Sequence, residues 1–231
     1  MKNGMFKLSL LAGAMVFSGL AMANPSATLA VKGQVSTGTC TAVLPTANID
    51  LGNISADSLP TTGSLVAVSD KAFTLQISCT SPLKFQISLN DNRADSAIPA
   101  SETAQGAANE GRVLGLGKTS DGVNIGGYFI ALKSVTTQIG GADYQDKLIR
   151  NAGSDSSWKL MESKKFVPMN NIAGVTDDVY VSMAKPAMME PEASASAEFK
   201  FNTSVYISSA LRSITDQQTI DGNVTFNIEY L

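Results

Sequence analysis

Phe73-Thr74-Leu75-Gln76-Ile77-Ser78-Cys79 alternates apolar and polar residues without a break. Side chains along an extended strand point to opposite faces in turn, so Phe73, Leu75, Ile77 and Cys79 share one face and three polar residues share the other. Leu83, Phe85, Ile87 and Leu89 repeat the pattern after Ser81-Pro82, which predicts two half-buried strands with a short turn between them. Further along, Phe199, Phe201, Val205 and Ile207 alternate with Lys200, Asn202, Ser204 and Tyr206. At the end of the chain Val224, Phe226, Ile228 and Tyr230 alternate with Asn223, Thr225, Asn227 and Glu229. Leu29, Val31 and Val35 around Gly33, Tyr128 to Lys133 and Val179 to Met183 are shorter strand candidates.

No segment carries a long apolar stripe at the 3.6-residue spacing of a helix, and Gly, Ser, Thr and Asn supply turn signals between the runs. The expected fold is therefore all-β, with two antiparallel sheets packed face to face. Residues 93–112 have no periodicity and read as a surface loop or short helix, while 140–157 and 184–197 read as loops. The long middle region, 93–175, has no legible role.

The chain has 231 residues, 44% hydrophobic and 16% charged, which excludes a wholly disordered chain and a multi-span membrane protein. Residues 1–23 read as a secretory signal. Lys2 and Lys7 form a basic start, Leu8 to Leu20 is mostly apolar, and Ala21-Met22-Ala23 offers a cleavage site. Leu8 to Leu20 would reach only about 20 Å as a helix, short of a bilayer core. A mature chain of residues 24–231, read as one domain without a membrane span, is then exported. Losing Lys2 and Lys7 takes the formal charge from −3 to −5, which argues against nucleic acid as a partner.

Cys40 and Cys79 both survive that cleavage, and cysteines in an oxidising compartment usually pair, so one disulfide is expected. The alternatives are two free thiols or a metal site with two sulfurs and no imidazole. The chain contains no histidine, which removes the usual general base and every Ser-His or Cys-His triad; no enzyme, cofactor or metal is expected.

Other motifs carry little. Gly117-Lys118-Thr119 lacks the glycine a phosphate-binding loop needs, since Arg112 stands in its place. Asp121-Gly122-Val123-Asn124 and Asp177-Asp178 fit turn chemistry better than a calcium loop. Glu190 and Glu192 read as solvated loop charge, and Trp158, the single tryptophan, reads as core packing rather than a sugar-binding face.

Val31-Lys32-Gly33-Gln34-Val35 followed by Cys40, then Ile49-Asp50-Leu51-Gly52 with Ile54-Ser55, the strand ending at Cys79 and a penultimate Tyr230 together resemble the chaperone–usher pilins, subunits of bacterial fimbriae. The resemblance covers roughly residues 29–90 and 199–231. Two features depart from the family: Gln218 stands where pilins often carry a glycine, and the arm before Cys40 is short.

The resemblance implies an immunoglobulin-like sandwich lacking its final strand, with a groove beside Val224, Phe226, Ile228 and Tyr230. A periplasmic chaperone fills that groove first. The N-terminal arm of a neighbouring subunit, here residues 24–32 with Ala27, Leu29 and Val31 as donor positions, replaces it at an outer-membrane usher. The implied role is a structural subunit of a fimbria or fimbria-like surface fibre, in the periplasm during transit and then at the cell surface. The alternatives are a non-polymerising periplasmic or secreted sandwich that acts as a binding module, or a glycan-binding adhesin.

Overall fold

In the computed structural model the chain divides into residues 1–36 and a unit of residues 37–231. The structure describes residues 38–46, 48–106, 112–139, 142–144, 146–151, 157–160, 179–186 and 188–231. The signal at 1–23 and the arm at 24–32, with Ala27, Leu29 and Val31, lie outside the described residues.

Phe73 to Cys79 forms the second half of a long strand, β2 (Ser64–Leu83), preceded by the short β1 (Cys40–Val43) and followed by β3 (Phe85–Asp91). Then come β4 (Leu114–Gly115), β5 (Gly126–Ile139), β6 (Ala142–Tyr144), β7 (Asp146–Asn151), β8 (Lys159–Leu160), β9 (Val179–Ala184), β10 (Ser194–Ser208) and β11 (Val224–Tyr230). Among the described residues they make two antiparallel sheets, one ordered β1-β2-β10-β5-β4 with β6 against β5, the other β11-β3-β9-β7-β8. The all-β, two-sheet expectation holds.

The junction of β2 and β3 differs from the sequence reading. Ser81-Pro82 does not form the turn between the two strands. It lies inside β2, where the register against β10 slips between Ser194 and Ser196, so proline's missing N–H interrupts no regular ladder. The break falls at Lys84, and there the chain passes from one sheet to the other. Alternation continues through Leu83, Phe85, Ile87 and Leu89 because both sheets turn one face to a common core.

That core is built from the alternating residues. Leu75, Ile77, Phe85, Ile87, Leu132, Val135, Phe199 and Phe201 are all buried within it. β2 bends where Thr203 opposes Lys71 and Val205 opposes Val68, so two residues of β2 face one of β10. Asp70 takes the left-handed conformation there, with φ 49°, and its N–H donates to Ser204 Oγ.

The stretch read as a surface loop or short helix and the two read as loops contain regular structure. Residues 94–96 and 100–102 form 3₁₀ turns that bury Ile98 and Ala100 against Val113, Phe129 and Tyr206. Phe129 and Tyr206 alternate with the main-core residues Tyr128, Ile130, Val205 and Ile207, so this second cluster covers the opposite face of the β10–β5 pair. Residues 140–157 contain β6 and β7, and 184–197 contains the start of β10. Trp158 is half-buried and is not among the described members of either core cluster.

Candidate functional site

β11 is an edge strand. Its one described partner is β3, in a regular register from Val224 opposite Asp91 to Tyr230 opposite Phe85. Its inward residues Val224, Phe226 and Ile228 pack against the core yet stay half-exposed, and Val224 and Phe226 line a groove of about 920 Å³. A fully closed sandwich would bury such residues, as it buries Leu89 and Ile87 on the neighbouring strand.

The floor of the groove belongs to the main core: Phe73, Tyr128, Ile130, Val205 and Ile207 line it together with Phe226. Phe73 and Phe201 stack with ring centres 5.2 Å apart, and Phe226 tilts onto Phe201 at the same separation, bringing β2, β10 and β11 into one aromatic cluster. The walls are irregular segments. Residues 48–56 form one, held by Leu51 and Ile54 on the core and by an Asp50 side chain that accepts the Gly52 N–H. Residues 214–223 form the other, anchored by Ile214 and Ile220.

Thr203 adds a polar atom to the floor. Thr203 Oγ1 is buried, with the residue 1% exposed, and has no hydrogen-bond partner among the described residues. Leaving a buried hydroxyl unpaired costs about 1–3 kcal/mol. Thr203→Val keeps the shape and removes the hydroxyl, so it is expected to raise stability by about 1 kcal/mol in urea unfolding; a loss would show that the hydroxyl is satisfied in solution.

The two ends of β11 differ. At one end Tyr230 is 54% exposed, and its hydroxyl accepts the Cys40 N–H at 2.8 Å. The alternation that predicts four inward residues on β11 thus yields three in the core and a tyrosine that ties the strand end to β1. Cys40 lies directly opposite Cys79 in the β1–β2 register, and the expected disulfide joins them. It links neighbouring strands of one sheet and packs, half-buried, at the core edge.

At the other end, where β11 begins, a buried carboxylate organises the chain. Asp91 accepts from the Gly115 and Arg93 N–H groups, and the Arg93 guanidinium bonds Asp221, three residues before β11. Burial raises the Asp91 carboxyl above its ordinary value of 3.8, against the lowering effect of those two N–H bonds. Burial likewise pushes the nearby Tyr128 hydroxyl up, with the Asp91 charge adding to it.

A carboxyl raised in the folded state binds its proton more tightly there than in the unfolded chain. Its contribution is complete below the unfolded value and is lost as pH rises through the folded one. Wild type is therefore expected to lose stability relative to Asp91→Asn as pH climbs from below 3.8, read as unfolding midpoints across the acid range. Parallel curves would contradict this.

Of the motifs set aside earlier, Asp177-Asp178 lies outside the described residues, and several others have structural roles. Lys118 pairs with Asp95 at 3.0 Å and holds that carboxyl below the ordinary aspartate range, while Thr119 to Asn124 is a tight turn with Gly122 at φ +81°. Glu192 faces Lys185 at 3.6 Å. Among the described residues no group of three or more metal-ligating side chains comes together, and no helix is long and apolar enough to cross a membrane.

The region from the arm to β5 has a recognised counterpart. Residues 29–129 match a family described as a protein of unknown function, DUF1120. The match begins at Leu29, includes both cysteines and the 48–56 wall, and ends within β5. Protein GltF of Escherichia coli (strain K12) is 25% identical over 239 residues, covering 93% of this chain and 92% of its own. The similarity to GltF thus extends over nearly the whole of both chains. The groove wall at 48–56 escaped the sequence reading as a site because it has no alternation; its one signal was the Asp50-Leu51-Gly52 turn.

Proposed function

We propose that this chain is an exported, pilin-like structural subunit whose groove beside β11 takes a strand donated by another polypeptide: a periplasmic chaperone first, then the arm of a neighbouring subunit. The observation that carries this reading is β11 itself. It is an edge strand with one described partner, and its half-exposed apolar face borders a groove floored by the main core.

An added strand gains affinity from main-chain bonds along such an edge and specificity from alternate side chains in pockets. An uncovered apolar edge is an aggregation hazard, which is the physical reason for a chaperone. The usher, the fimbria-like fibre and the surface location belong to the same reading. A chain without histidine supports a structural rather than a catalytic role.

The test is to recover the tagged protein from the periplasm and identify what accompanies it. An equimolar complex with an immunoglobulin-like chaperone is expected, lost on changing Phe226 and Ile228 together to Asp. Recovery of a stable lone monomer would favour the second reading, a self-contained binding module.

A further inference from the structure

We infer that Asp50 and Asp216, on opposite walls of the groove, select the donated strand by its charge, and that this strand is residues 24–32 of a second copy, with Lys32 placed where β11 begins. The inference rests on the strand-donation reading. Both carboxylates line the groove, and among the described residues no lysine or arginine does. The other lining carboxylate, Asp221, is already paired with Arg93. Asp50 accepts only from its own Gly52 N–H and Asp216 from the Thr215 hydroxyl, so among the described residues neither has a cationic partner. Arg212 is bound to the Asp57 and Leu59 carbonyls, outside the lining.

Bonds on both walls tie the segments that carry the carboxylates to the fold. The Arg212 bonds hold the chain after Asp50 against the 3₁₀ turn Ser209–Ser213, and Asp216 follows that turn. The Asp221 N–H bonds the Leu116 carbonyl just before β11 starts. The opposite end of β11 is marked by the Cys40–Tyr230 bond.

Asn24-Pro25-Ser26-Ala27-Thr28-Leu29-Ala30-Val31-Lys32 has one lysine and no carboxylate. With Ala27, Leu29 and Val31 turned into the groove, alternation turns Lys32 outward at the rim, the level of the two carboxylates. Putting Lys32 at the acidic end runs the arm antiparallel to β11.

That direction disfavours the chain's own arm. Cys40 is held at the Tyr230 end, about 20 Å of strand from Val224. To place its own Lys32 at the acidic end, residues 33–39 would have to run back along the groove the arm is filling. A second copy carries no such tether.

The test uses the full chain in its own periplasm, with the fraction in high-mass assemblies measured after mild extraction. Lys32→Glu, or Asp50→Lys with Asp216→Lys, is expected to lower that fraction about fivefold, the upper range for exposed ion pairs. Combining all three changes should restore it to within about twofold. Asp50→Asn with Asp216→Asn, which perturbs folding least, should give an intermediate loss, and each variant's disulfide-bonded monomer serves as the folding control.

Unchanged assembly in Lys32→Glu would overturn charge selection and leave strand donation standing. Loss in every variant without restoration in the combination would also overturn it. A wild-type chain that forms no assemblies would overturn strand donation itself, and this inference with it.

Discussion

Truncating Phe201 to alanine is expected to lower the unfolding free energy by about 3–5 kcal/mol, the range for deleting a buried aromatic ring. Phe201 is fully buried on β10, stacked on Phe73 of β2 and touching Phe226 of β11. The cavity left behind therefore opens beneath both sheets. Against a typical total of about 5–15 kcal/mol, such a loss consumes a large share of the stability. Urea unfolding should show the midpoint fall at an unchanged slope. Phe73→Ala, at a ring only partly buried, should cost less. Equal losses at the two positions would mean that Phe73 is as fully buried as Phe201 in solution, with the groove closed over it.

The second large effect concerns Cys40 and Cys79. Replacing both with alanine is expected to cost about 4 kcal/mol in the chain-entropy model, because the bridge closes a long loop in the unfolded chain. Their sequence separation is 39. The loss also frees β1, a four-residue edge strand, and with it the Cys40 N–H bond to Tyr230 and the start of the 48–56 wall. Stability and groove shape should then fall together. The measurement is the unfolding midpoint with and without a reductant, which should lower wild type to the level of the variant. A wild type indifferent to reduction would contradict this.

The parts of the fold that the sequence reveals are those where one physical demand acts alone. β11 turns one face to the core and the other to solvent, so Val224, Phe226 and Ile228 alternate with polar residues. The Cys79 end of β2 is equally plain. β10 is legible in outline, yet Tyr206, which the pattern assigns to solvent, is buried under Ile98 and Val113. Nothing local announces that, because residues 93–106 form a cover of 3₁₀ turns whose apolar residues follow no fixed period. Pro82 looked like a turn because proline ends ladders, but a slipped register against β10 accommodates it within the strand.

The candidate site divides the same way. Its strand was visible from alternation alone, and its disulfide from the compartment that an export signal implies. The walls were not, since Asp50, Leu51, Ile54 and Ile220 are placed by irregular backbone packed on the core. The unpaired Thr203 hydroxyl on the floor could not be foreseen either. Alternation puts position 203 on the inward face, but only the packed structure shows that its hydroxyl finds no partner among the described residues.

The most direct measurement of strand donation is a photocross-link from the groove itself. With a photoreactive phenylalanine analogue in place of Phe226, and cells expressing a mixture of ¹⁴N- and ¹⁵N-labelled chains, the account predicts a mixed-isotope adduct joining position 226 to the peptide that contains Ala27, Leu29 and Val31. An adduct confined to single-isotope pairs, with the same peptide of the same chain, would show an arm folded into its own sheet and contradict the account.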